Sequence, residues 1–199
     1  MEAYIVDACR TPRGIGKVGK GALAHLHPQH LAATVLAALR DRNSIDTSAV
    51  DDIIWCTSTQ RGSQGSDLGR MAALDAGYDV NASGVTISRF CGSGISSVSL
   101  AAGQIMSGFE DVVIAGGTEM MSYTASIADP KNPTMMDAGN MRLRAKHPQS
   151  QQGVCADAIV CPFLNPSKRQ TGCRGVPLCA PVTVKSEGTA TFHYINFCI

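Results

Sequence analysis

Cys91 stands in the run Ser88-Arg89-Phe90-Cys91-Gly92-Ser93-Gly94, where a short β-branched stretch ends and a long uncharged segment begins. A cysteine at the start of a helix meets the positive end of the helix dipole and amide N–H groups that no helical carbonyl reaches. Both favour thiolate over thiol, and the thiolate is the nucleophile of acyl-transfer chemistry. Gly92 and Gly94 leave room for a substrate carbonyl to approach the backbone, and the Cys91 N–H is placed to donate to a developing oxyanion. A buried structural cysteine is the alternative that these residues alone leave open.

Other residues offer weaker chemistry. His25, His27 and His30 lie together, but with Pro28 between them a loop entering a helix is the simpler reading than a metal site. Cys161, Cys173, Cys179 and His193 are potential zinc donors, yet gaps of 11, 5 and 13 residues are unlike compact knuckles. Arg142, Arg144 and Lys146 form a basic stretch, read first as a solvated face. Gly14, Gly16 and Gly19 lack the Lys-Ser/Thr ending of a phosphate loop. No metal is expected.

The elements that must position Cys91 follow from periodicity. Ala3–Asp7 predicts a first strand, residues 28–42 a helix, 52–57 a second strand, and 67–76 a short helix stopped by Gly77. Residues 84–88 predict a third strand, 92–107 a helix, and 111–115 a fourth strand. Strands alternating with helices indicate βαβ units and a mostly parallel sheet in a layered α/β/α arrangement. The helix over 92–107 is unusual, because it has no charged face and small residues on every side. It suits a layer covered on both sides, and a half-size sheet covers only one. The fold is therefore expected to be incomplete.

Composition narrows the function classes. The 199 residues carry 17 Lys/Arg against 16 Asp/Glu, so no global field attracts nucleic acid or an anionic membrane. Phe90–Phe109 contains no charge but holds five serines and four glycines, which points to a helix buried in protein rather than in lipid. Glu2 and Asp7 interrupt the N-terminus, and no Cys-x-x-Cys pair occurs, so a cytoplasmic chain with reduced thiols is expected. The last 39 residues change character: four Lys/Arg against one Asp/Glu, four of the nine prolines, and no sustained period.

Residues 85–122, VTISRFCGSGISSVSLAAGQIMSGFEDVVIAGGTEMMS, resemble the nucleophile region of the thiolase family. The opening AYIVDACRTPRGIGKVGKGAL resembles the first strand and following loop of the same family, and Gln151–Ala158 resembles a helix start after its loop region. The resemblance implies residues 1–122 as a thiolase-like N-terminal domain, 123–159 as the start of the loop region, and 160–199 as an unrelated, poorly ordered tail. It also implies acyl transfer between 3-ketoacyl-CoA and CoA through an acyl-cysteine on Cys91, with CoA as substrate and no bound cofactor. The partners expected are acyl-CoA or CoA and further copies of the chain in a homo-oligomer, without nucleic acid or membrane.

By the same resemblance, Gly116–Ser122 match a glycine-rich turn near the catalytic cavity, and Arg142, Arg144 and Lys146 fall in the loop region that meets CoA. Ser88 stands where many thiolases have Asn. The family's activating His in a G-H-P run, its N-E-A-F run and its acid–base Cys in a C-x-G run are read as missing. The chain is thus expected to be a thiolase-type acyltransferase inactive on its own, with a non-catalytic, partner-binding remnant as the alternative. A ketosynthase-like condensing enzyme is a third possibility, less consistent with RFCGSG.

Overall fold

The computed structural model describes residues 2–128, 137–150 and 152–156, which belong to two compact units divided between residues 128 and 129. The first unit is built on three parallel strands, β1 (Asp52–Cys56), β2 (Val85–Ile87) and β3 (Val113–Gly117), in the order β2-β1-β3. Three longer helices accompany them: α1 (Pro28–Asn43), α2 (Leu68–Asp75) and α3 (Ser93–Ser107). A short α4 (Met121–Ser126) follows β3.

Side-chain alternation along β1 separates two faces. Ile53 and Trp55 enter the core formed with Leu36 of α1 and with Leu68 and Ala72 of α2. On the opposite face Ile54 is buried, and the Cys56 thiol meets Ser97 of α3. The arrangement is the expected α/β/α layering with a parallel sheet. Local chemistry sets the boundaries. Pro28 opens α1 behind His27, whose Nδ1 accepts the Gln29 N–H, and Ser44 closes it in a left-handed conformation. Asp67 caps α2 by accepting the Arg70 N–H. Gly77 and Gly108 take the positive-φ positions after α2 and α3.

Two expectations are corrected. Ala3–Asp7 is not a strand: the segment is irregular, with Val6 88% exposed. Apolar β-branched residues raise strand propensity but supply no ladder partner, and among the described residues none lies alongside. The segment is held from its far end, where Asp7 accepts from Arg42 and Asn43 and the Cys9 thiol donates to the Val35 carbonyl. The strand expected over 111–115 begins two residues later, because the Asp51 carboxylate takes the N–H groups of Asp111 and Val112 (2.8 and 3.0 Å). Gly116 and Gly117 pair with Trp55 and Cys56 and so belong to β3 rather than to a turn. As expected of an incomplete fold, α3 is covered on one side only among the described residues. Ser93, Ser96, Ser97 and Ala101 are buried, whereas Ile95 is 75% and Met106 55% exposed.

The second unit contributes α5 (Met141–Lys146), capped by Asn140, and a helical turn over 152–156 where the sequence predicts a helix start. The residues expected to form a tail, 160–199, lie outside the described residues.

Candidate functional site

All three strands run in parallel, so their C-terminal ends share one rim, with Cys56 in register with both Ile87 and Gly117. Ligands of open parallel sheets bind beyond this end of the strands. The segments leaving β1, β2 and β3 are residues 57–64, 88–92 and 118–122. Cys91 lies in the middle one.

The turn that presents Cys91 is tight. Phe90 is left-handed at φ 50°, unusual for an aromatic residue and costing roughly 1–2 kcal/mol against an ordinary conformation. It reverses the chain, with the Gly92 N–H donating to the Arg89 carbonyl (3.1 Å) and the Ser93 N–H to the Phe90 carbonyl (3.0 Å). Gly92 caps α3 without a side chain. Among the described residues, the N–H groups of Gly94 and Ile95 in the first turn have no hydrogen-bonded acceptor. Cys91 itself is exposed at this helix end. The other thiols of the first unit differ. Burial pushes the Cys56 thiol up against a hydrogen bond with Ser97, and it pushes the half-buried Cys9 thiol up as well. Ser88 is exposed beside the turn.

A polar knot joins the other two segments. The Glu119 carboxylate accepts from the Thr57 hydroxyl (2.8 Å) and from the N–H groups of Ser58 (2.8 Å) and Thr59 (3.2 Å). Fully buried Gln64 donates to the Thr57 hydroxyl and to the Thr59 carbonyl, and it accepts the Met120 N–H (2.6 Å). Burial alone would push the Glu119 carboxyl up, but the donors at Thr57, Ser58 and Thr59 outweigh it and hold the group below its ordinary range. The Tyr123 hydroxyl accepts the Ser63 N–H (2.7 Å) and ties the same loop to α4. Trp55 Nε1 donates to the Thr118 hydroxyl (3.0 Å).

The residue types of this knot are in plain view in the sequence, but its partners are about 60 positions apart and no motif joins them. A carboxylate inside the apolar run after a strand is the signal that could have pointed to it. Gly116 is explained by packing, since a Cβ there would fall 2.4 Å from the Trp55 ring. A cavity of about 140 Å³ opens at the same rim between Gly14, Gly16 and Leu23 on one side and Glu119 and Met121 on the other.

The remaining candidates separate. His27 caps α1 and His30 lies 3.6 Å from Asp75, in keeping with a loop entering a helix. Arg144 makes a two-pronged bond to Asp137 (2.6 and 2.7 Å), which occupies it within the second unit, while Arg142 and Lys146 are exposed. Cys161, Cys173, Cys179 and His193 lie outside the described residues. The C-x-G spacing expected to be missing does occur, as bare spacing, at Cys173-Arg174-Gly175. Among the described residues, no helix is long and apolar enough to cross a membrane.

Comparison with known proteins gives a match between residues 3–163 and the family described as thiolase, N-terminal domain. A steroid 3-ketoacyl-CoA thiolase of Mycobacterium tuberculosis is 46% identical over 121 residues, covering 61% of this chain and 29% of that protein. A β-ketoadipyl-CoA thiolase of Acinetobacter baylyi is 42% identical over 121 residues, covering 60% and 29%. A 3-ketoacyl-CoA thiolase of Saccharophagus degradans is 34% identical over 166 residues, covering 79% and 42%. The matched segments therefore cover 29–42% of the length of these relatives. Among solved structures, the acetyl-CoA acetyltransferase of Bacillus anthracis aligns with TM-score 0.47 and 38% identity, over 51% of this chain and 25% of that one.

Proposed function

The chain belongs to the thiolase family, and from that premise we propose that it carries the nucleophile of a CoA-dependent acyl transfer, with Cys91 as the attacking residue. The observation that carries this reading is the exposure of Cys91 behind the left-handed Phe90, at a helix end whose Gly94 and Ile95 N–H groups are unpaired among the described residues. In the degradative direction the Cys91 sulfur attacks the 3-keto carbon of a 3-ketoacyl-CoA, and negative charge collects on the carbonyl oxygen. Amide donors at the start of α3 suit that charge. As the carbonyl re-forms, the bond between C2 and C3 breaks. Its electron pair leaves on C2, which takes a proton to give acetyl-CoA and leaves the shortened acyl group on sulfur. CoA thiol then attacks the thioester and carries the acyl group away, returning the sulfur. CoA is thus a substrate, not a resident cofactor.

Proton transfers in this sequence need a positioned acid and base, each worth on the order of 10²–10⁴-fold. Among the described residues, no histidine or carboxylate is hydrogen-bonded to Cys91. We therefore place the chain as the nucleophile-bearing part of the reaction, working as a homo-oligomer or with a partner that covers α3. Free thiols at Cys9, Cys56, Cys91 and Cys155 are what a reducing cytoplasm maintains.

The test is acylation by acetyl-CoA, followed by intact-protein and peptide mass spectrometry, with acetoacetyl-CoA thiolysis measured in parallel. The expected result is slow acetylation at Cys91, none there in Cys91→Ala, and thiolysis equal to that of the Cys91→Ala control. Acetylation of Cys155 as fast as Cys91 would overturn the assignment. A folded chain that is never acetylated would favour a non-catalytic, partner-binding role.

A further inference from the structure

Resting on the reading of Cys91 as the nucleophile, we propose that Ser93 is its positioning residue, through two hydrogen bonds that fasten the turn on either side of Phe90. Ser93 is 3% exposed and sits at the first position of α3. A serine one position earlier, at the N-cap that Gly92 holds, would turn forward to cap the amides of the first turn. This one reaches backward. Its hydroxyl oxygen accepts the Arg89 N–H (2.7 Å), and its proton goes to the Phe90 carbonyl (2.5 Å).

The same Phe90 carbonyl accepts the Ser93 N–H, so the side chain and backbone of one residue grip one oxygen. The peptide before Arg89 and the peptide after Phe90 are both held by Ser93, and between them lie Arg89 and the left-handed Phe90 whose reversal delivers Cys91 to the end of α3. Gly92 has no side chain to do this. Losing the hydroxyl strands the Arg89 N–H and frees Phe90 to relax to an ordinary conformation, which swings Cys91 away from the helix end. The sulfur carries negative charge when it attacks, so lost alignment with the helix N-terminus slows the attack.

The experiment is alkylation of the full chain by iodoacetamide, followed peptide by peptide, comparing Ser93→Ala and Ser93→Thr with the unsubstituted protein. Exposed Cys155 serves as reference and buried Cys56 as sentinel of the fold. Ser93→Ala should slow Cys91 about three- to tenfold relative to Cys155, the size of a charge's interaction with a helix end. Ser93→Thr keeps the hydroxyl and should restore the rate, and Cys56 should stay unlabelled in both. An unchanged or faster Cys91 in Ser93→Ala, or Ser93→Thr slowed as much as Ser93→Ala, would overturn the proposal.

Should Ser93→Ala expose Cys56, amide exchange in the unsubstituted chain decides instead. The Arg89 N–H should exchange far more slowly than the Phe90 N–H, and equal exchange would refute the bond. Neither readout uses CoA, so a chain that fails acetylation can still pass or fail this test.

Discussion

The two faces of the sheet are built from different materials. On one, α1 and α2 place Leu36, Leu68 and Ala72 over Ile53 and Trp55, and α1 leaves Asp41 and Arg42 exposed. On the other, α3 packs small residues against Ile54 and Cys56 and leaves Ile95 and Met106 outward, with no charge along its length. Among the described residues the first face is covered and the second is open on its outer side. Cys91 heads the open one, so a partner that buried α3 would also close over the proposed nucleophile.

The sharpest way to break this contrast is to truncate one side chain on each face. Leu36→Ala, fully buried, should cost about 2–5 kcal/mol in denaturant unfolding. Ile95→Ala should stay within about 0.5 kcal/mol, as surface substitutions do. A comparable loss at Ile95 would show that the open face is covered in solution even at low concentration.

The rim between the faces gives the next effect. Glu119→Gln replaces an acceptor of the Thr57, Ser58 and Thr59 donors by a group that is half donor, and leaving buried donors mismatched costs about 1–3 kcal/mol. The pH dependence has a fixed sign. The folded carboxyl titrates below an ordinary glutamate, so its contribution is complete above the ordinary glutamate range and is lost as pH falls through the folded value. Unfolding curves of the Gln variant should lack this acid-sensitive part of the stability. An acid dependence identical to that of the parent chain would place the lost protons elsewhere.

Most of the covered face is legible in the sequence, because it rests on local chemistry. Pro28, Asp67 and Gly77 mark helix boundaries, and the apolar spacing of α1 marks its buried side. The parallel sheet follows from the alternation of elements. Cys91 is legible too, since the strand, the reversal and the glycines lie within a few residues of it. What fails is long-range. Whether Ala3–Asp7 pairs depends on an available edge, not on its own propensity, and the beginning of β3 depends on Asp51, some 60 positions earlier. The Glu119 knot is invisible for the same reason. The helices α4 and α5, six residues each, are too short to show a period.

The smallest effect on stability should accompany the largest effect on association. A contiguous uncharged stripe through Ile95 and Met106 is the kind of surface that drives self-association. Light scattering should find oligomers in the parent chain, and Ile95→Glu with Met106→Glu should shift it toward monomer with unfolding midpoints nearly unchanged. A parent chain that is already monodisperse and monomeric would remove the open face as an interface.

The strand order β2-β1-β3 has a kinetic consequence. The pairing of β1 with β2 bridges about 30 residues, but the pairing with β3 waits until α3 has been laid down and about 60 residues have been looped out. Closing larger loops is slower, so β3 should be the last strand to dock, and the Glu119 knot, which needs both ends, should tighten after it. Interactions that form after the transition state govern unfolding rather than folding. The carboxylate at the rim then acts as a latch on the native state: its loss should hasten escape from the folded form and leave the time taken to reach it almost untouched.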